Sequence, residues 1–290
     1  MRAPAALRRG DPIVIVAPSG PVPEGRYAAG LQILASRYDV RSTPRLLERS
    51  GYLAGDDDAR LAELDLAFAS DAKAVICARG GYGVMRLLRR LAPVTDKLVV
   101  GFSDITVLHA VMARAGVRSI HGPVVTQLAE LTDDDAQALI TLLEGGLGAP
   151  MTALASHGSD ATVEGLLMGG NLELVTRLVG TPWALPLDGN VLLIEEVGER
   201  PYRIDRQLTQ LLLSGALDRV GAIVVGDLVR CEEVGGPSAL EVVLERLRGL
   251  DVPILSGLPI GHGARNRAGA HGARVRVEPG RLTFLEPAAV

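Results

Sequence analysis

Short runs of β-branched residues alternate with helical patterns through the first half of the chain, and this alternation restricts the fold more than any other feature. Ile13-Val14-Ile15-Val16 opens the series, and an amphipathic stretch over 24–36 follows it. Asp56 then stands where a helix cap belongs, ahead of apolar residues that recur at three- and four-residue spacing over 59–68. Apolar runs over 74–78 and 98–102 come next, each succeeded by a helical pattern, over 84–91 and 105–115. Strands that are apolar throughout are buried on both faces, so the pattern predicts an α/β fold with a parallel sheet covered on both sides by helices.

At 290 residues the chain exceeds one typical domain. The periodic pattern lapses between 144 and 160, through Gly145-Gly146-Leu147-Gly148-Ala149-Pro150 and Ser156-His157-Gly158-Ser159-Asp160. This places an N-terminal domain over 1–145, a linker over 146–162 and a smaller, mixed α/β C-terminal domain over 163–290. In the last of these, strands are expected at 163–167, 191–194, 222–225, 274–277 and 281–284, and helices at 172–179, 204–213 and 238–247.

Charge and cysteine content exclude several classes of function. The net charge is −4, with basic and acidic residues interspersed, whereas a nucleic-acid surface needs a concentrated basic face; no nucleic-acid partner is expected. No apolar run is long enough to span a bilayer, and no apolar segment of the secretory kind follows Arg8-Arg9-Gly10, so a cytoplasmic protein is expected. Cys77 and Cys231 are too few for a disulfide framework and lack metal-ligand spacing. Cys77, inside an apolar run, reads as a buried structural thiol.

Ser103 is the first candidate for chemistry. It follows the strand over 98–102 and precedes a helix, and ligands of parallel α/β sheets gather at the carboxyl ends of strands. The start of that helix would aim unpaired N–H groups at charge developing beside the hydroxyl, although a plain helix cap explains Ser103-Asp104 equally well. The segment is not a Gly-x-Ser-x-Gly elbow, because Ile105 occupies the second glycine position. Arg79-Gly80-Gly81-Tyr82-Gly83 holds the equivalent place after the preceding strand, where glycines allow backbone N–H groups to approach a substrate or simply make a turn.

A serine nucleophile needs a base, and the histidines are His109, His121, His157, His262 and His271. His109 lies inside the helix after Ser103 and His157 in the expected linker. His121 ends a possible strand, where lining the cleft and a structural hydrogen bond are both open. His262 and His271 are each flanked by glycine, and the residues alone do not choose between them. For the carboxylate that orients a base, Glu195 and Glu196 end an apolar strand, and alternation turns only one of them towards a given cleft.

In their order along the chain these segments resemble the LD-carboxypeptidase family of serine peptidases, which includes the microcin C immunity proteins. The resemblance covers nearly the whole chain and rests on Val16-Ala17-Pro18-Ser19-Gly20, Ala78-Arg79-Gly80-Gly81-Tyr82-Gly83, Gly101-Phe102-Ser103-Asp104-Ile105-Thr106, His121-Gly122-Pro123, Gly169-Gly170-Asn171-Leu172, the segment from Glu195 to Arg206 and Gly261-His262-Gly263. It implies a flavodoxin- or Rossmann-like N-terminal domain, with Ser103 as nucleophile, Glu195 as triad acid and His262 as base. The oxyanion hole would be the backbone N–H of Asp104 with one from Gly80 or Gly81. It implies no metal or cofactor, a homodimer, and hydrolysis of the amide bond between an L-centre and the terminal D-alanine of a murein tetrapeptide in cell-wall recycling. Arg79 is the candidate for the substrate carboxylate. The pattern departs at Ala270-His271-Gly272, where a Pro-Leu-Gly-like turn is expected, so His271 stays a second candidate for the base. Hydrolysis of peptidyl or aminoacyl nucleotides by the same triad is the alternative, disfavoured because the short separation of Ser103 and Glu195 leaves little room for a nucleobase loop. A non-catalytic α/β ligand-binding protein would keep the cleft and lose the triad; it is disfavoured because periplasmic binders need a leader.

Overall fold

The computed structural model describes residues 1–92 and 96–290. Five parallel strands form the first sheet: β1 (Pro12–Val16), β2 (Asp39–Ser42), β3 (Ala74–Cys77), β4 (Leu98–Gly101) and β5 (Ser119–His121). Their order is β2-β1-β3-β4-β5, the doubly wound order of flavodoxin-like sheets. The helices of this unit are α1 (Glu24–Ala35), α2 (Asp57–Ala69), α3 (Thr106–Arg114), α4 (Val125–Leu128) and α5 (Asp133–Leu143). Asp56 caps α2 as its sequence position predicts, accepting from the Ala59 N–H at 2.8 Å.

The second sheet contains β6 (Met151–Thr152), β7 (Ala155–Gly158), β8 (Val163–Asn171), β9 (Val191–Val197), β10 (Ala222–Val229) and β11 (Pro253–Ser256). After β12 (Gly269–His271), β13 (Arg274–Glu278) and β14 (Arg281–Phe284) complete it. Its eight strands run β6-β14-β13-β8-β9-β10-β11-β7, with β8 to β11 parallel and the flanks antiparallel. Helices α6 (Leu172–Leu178), α7 (Pro201–Leu213) and α8 (Ala239–Leu247) join its parallel strands.

Three sequence expectations change. The stretch over 146–162 is not a bare connection, because β6 and β7 lie in it and pair with β14 and β11 of the second sheet. Their turn-like composition suits edge strands with half-exposed residues, which need no apolar run. The helix expected over 84–91 is a single 3₁₀ turn, Val84–Leu87. The C-terminal half also returns to the first sheet, where β12 pairs antiparallel with β5.

Strand alternation explains how the two sheets join. Ile13, Ile15, Ile76 and Val100 from the first share one core cluster with Val191, Leu193, Val224 and Leu255 from the second. The intervening residues Val75, Cys77 and Val99 face the opposite side of the first sheet, and Leu192, Ile194 and Val225 that of the second. Each sheet is therefore buried on both faces, which accounts for their apolar runs. Cys77 is fully buried, as expected for a structural thiol, and burial raises its pKa.

Candidate active site

The carboxyl ends of β1, β3 and β4 converge on the seam between the sheets. Ser103 stands two residues past β4 and opens the 3₁₀ turn Ser103–Ile105. Its φ is 64°, left-handed backbone that costs a side-chain-bearing residue about 1–2 kcal/mol. A plain helix cap has no need of that conformation, whereas a hydroxyl held out at a strand end does.

Gly80 packs directly against this serine. A Cβ there would lie 2.9 Å from Ser103 Cβ and 3.1 Å from its Oγ, so only glycine fits. Gly80 and Gly81 have N–H groups without an acceptor among the described residues. The N–H of Asp104 lies in the first turn after β4, where helical donors are unpaired. The Asp104 side chain points the other way and is buried. Its Oδ2 accepts from Ser19 Oγ at 2.7 Å and from the Val84 N–H at 3.0 Å, tying the loops after β1 and β3 to the turn that carries Ser103. Burial raises the Asp104 pKa against the opposing pull of those hydrogen bonds.

The second sheet contributes a histidine–carboxylate pair. Glu195, fully buried near the end of β9, accepts from His262 Nδ1 at 2.6 Å, and the imidazole is 19% exposed. Gly261 has φ 128°, and a Cβ there would meet Glu195 Oε2 at 2.9 Å, so the loop passes over the carboxylate only as glycine. The loop is pinned on both sides of His262. Asp227 donates its N–H to Ile260 O at 2.8 Å and accepts from the Gly263 N–H at 3.1 Å, while Asn266 Oδ1 accepts from the Gly261 N–H at 3.1 Å. Alternation separates the adjacent acids as expected. Glu196 turns to the opposite face, where Asn171 Nδ2 and the Glu173 N–H donate to it.

Ser103, His262, Gly80, Gly81 and Arg79 line one cleft of about 450 Å³. Ser103 Oγ has no hydrogen-bond partner among the described residues, and His262 reaches it only as a neighbour across the cleft. The Phe102 ring packs against the imidazole at 4.6 Å. Hydrogen bonds of such pairs are often open in the absence of substrate. Arg79, exposed, donates to Pro21 O and also borders an adjoining cavity of about 490 Å³ that carries Tyr52 and Tyr82.

The other histidines stand elsewhere. His121 and His271 are fully buried and lie outside the cleft lining. His271, in β12, accepts from the Gly169 N–H at 3.1 Å and stacks on His109 at 5.2 Å, so its flanking glycines mark strand geometry rather than an accessible base. His157 bonds Ser256 Oγ at 3.0 Å in the β7–β11 pair.

Sequence reasoning did not single out Ser19, Asp227, Asn266 or Arg230. The first two stand just after apolar strand runs, the position that had already directed attention to Ser103, and that signal applied to every strand would have found them. Among the described residues no helix is long and apolar enough to cross a membrane.

Two family models match the chain: the LD-carboxypeptidase N-terminal domain over residues 13–122 and the LD-carboxypeptidase C-terminal domain over 164–277. A relative from Streptomyces coelicolor is 40% identical, covering 98% of this chain and 96% of its own. The murein tetrapeptide carboxypeptidase of Pseudomonas aeruginosa is 34% identical, over 94% of each chain. The solved structure of a muramoyltetrapeptide carboxypeptidase from Oxalobacter formigenes superposes with a TM-score of 0.84 at 29% identity, covering 94% of this chain and 97% of that one.

Proposed function

The chain belongs to the LD-carboxypeptidase family, and from that premise we propose that it removes the terminal D-alanine of murein tetrapeptides with Ser103 as nucleophile, His262 as base and Glu195 as orienter. The observation that carries this reading is the 2.6 Å contact of Glu195 with His262 Nδ1, on the wall of the cleft that also holds the strained Ser103. A carboxylate on Nδ1–H leaves the Nε2 lone pair free to take a proton.

In this mechanism Ser103 Oγ attacks the carbonyl carbon of the L-centre as its proton passes to His262 Nε2. The tetrahedral oxyanion meets the N–H of Asp104 and one from Gly80 or Gly81. Collapse breaks the C–N bond, and the imidazolium returns the proton to the leaving D-alanine amine. Water, activated by the same histidine, then hydrolyses the acyl-serine. Arg79 contributes positive charge at the rim of the cleft for the anionic peptide. The setting that suits this chemistry is cytoplasmic cell-wall recycling, and the acting species is a homodimer.

Ser103→Ala should abolish D-alanine release while leaving the unfolding midpoint within a few degrees of wild type. Mass analysis after incubation with a murein tetrapeptide, and in parallel with an aminoacyl sulfamoyl adenosine, reads out both substrates. Persistent turnover by Ser103→Ala would refute the nucleophile. Cleavage of the adenosine compound without cleavage of the tetrapeptide would refute the substrate.

A further inference from the structure

Three arginines border the cleft of Ser103 and His262: Arg26, Arg79 and Arg230. Two are committed to the protein. Arg26 holds Glu130 and donates to Thr126 O at 3.2 Å, and Arg79 donates to Pro21 O. Arg230 has no ion-pair or hydrogen-bond partner for its guanidinium among the described residues.

Its backbone is also unusual. Arg230 follows Val229, the last residue of β10, beyond a register shift between Val225 and Leu228, and has φ 54°. Among the described non-glycine residues only Ser103 shares a positive φ, and both line this one cleft. Glycine would hold that conformation without steric cost, so an arginine kept there points to a task for its side chain. β10 also supplies Asp227, the residue that pins the His262 loop, so one strand end sets both the loop and the cation.

A carboxypeptidase has to recognise a free carboxylate, and a guanidinium with all its donors available matches that group with two parallel hydrogen bonds. We propose that Arg230 receives the terminal carboxylate of the peptide and so restricts cleavage to the last residue. Arg79, half occupied by Pro21 and shared with the neighbouring cavity, serves the body of the substrate. This assignment rests on the carboxypeptidase reading given above.

The test compares a murein tetrapeptide ending in free D-alanine with the same peptide as its C-terminal carboxamide, using full-length wild type, R230Q, R230G and R79Q. R230Q should lower kcat/KM for the free acid on the order of 10- to 100-fold, chiefly through KM, and lower that for the carboxamide far less, so that the acid-to-amide preference collapses. R230G should lose the same preference while its thermal midpoint equals or exceeds that of wild type, a combination that a merely structural arginine would not produce. An acid-to-amide preference that survives in R230Q, or that collapses in R79Q instead, overturns the assignment alone. Wild-type protein that releases no D-alanine from the free acid overturns both the assignment and the reading of function beneath it.

Discussion

Lowering the pH from 7.5 to 5 should destabilise the folded chain, and the cause lies in the histidines buried at the seam. His109 is fully enclosed, with Nε2–H donating to Gly101 O at 2.8 Å and Nδ1 accepting from Ser119 Oγ at 2.8 Å. Burial pushes its pKa down to about 4. His121 and His271 are also fully buried, and both are pushed well below the ordinary value, by burial first and by neighbouring histidines second. A folded pKa below the unfolded one means stability that is complete above about pH 6.5 and lost as the pH falls towards the folded value. At pH 5 an unfolded imidazole gains about 2 kcal/mol from protonation that His109 largely forgoes, and His121 and His271 act in the same direction.

Buried carboxyls oppose this: burial raises the pKa of Asp104 and of Asp227, and it also raises that of Glu196. Burial raises its pKa to about 7, so its contribution is favourable below about pH 4.5 and is lost as the pH rises through 7. Acidification to pH 5 therefore returns roughly 2 kcal/mol at Glu196, and the loss seen in the wild type is what the histidines take beyond the carboxyls. Urea unfolding at the two pH values, compared at equal m, measures the difference. E196Q removes that residue's share and should steepen the acid loss by roughly 2 kcal/mol relative to wild type, so an E196Q whose pH dependence matches wild type would contradict it. A wild-type stability that is flat or rises between pH 7.5 and 5 would refute the reasoning.

Two further outcomes concern the site itself. Gly80→Ala sets a methyl group 2.9 Å from Ser103 Cβ; kcat should fall on the order of 10²- to 10³-fold through displacement of the serine or the proposed oxyanion donors, and steady-state kinetics showing less than a threefold change would contradict that reading. E195Q preserves shape but can present an N–H to His262 Nδ1, so kcat should drop on the order of 10³- to 10⁴-fold with little change in KM, whereas an E196Q enzyme that is equally impaired would point to the wrong glutamate.

The strands that were legible are the ones buried on both faces. β1, β3, β4, β9 and β10 announce themselves as apolar runs, because each serves two core clusters at once. β2, with the sequence Asp39-Val40-Arg41-Ser42, is a mostly exposed edge strand paired to β1, and nothing in its composition distinguishes it from a loop. β12 is three residues long, and its identity depends on a partner almost 150 positions earlier, a relation that no local pattern encodes. The site divides similarly. Position after a strand marked Ser103, but whether the hydroxyl was a cap or an exposed group depended on a φ of 64°, which the sequence does not state. Likewise Glu195 and Glu196 could be assigned to opposite faces from alternation, while which face met His262 required the path of the loop over Gly261.

That path also determines how firmly His262 is held relative to Ser103, which comes from the other sheet. A histidine carried only by the second unit would move with any flexing of the seam. Here the chain leaving His262 is fastened to the first unit at successive points. Arg265 makes two hydrogen bonds, of 2.8 and 2.7 Å, to the buried Asp135 of α5, and Asn266 Nδ2 donates to Gln127 Oε1 of α4 at 2.8 Å. β12 then joins β5 as a sixth strand of the first sheet. Each contact alone is modest, and the arginine is partly exposed, so its pair with Asp135 is weakened by solvent. Taken in sequence they fasten the chain on both sides of the loop. His262 is held by Glu195 and Asp227 of the second unit on one side and by α4, α5 and β5 of the first on the other, so its distance from Ser103 is set by the shared core and not by the connection over 146–162.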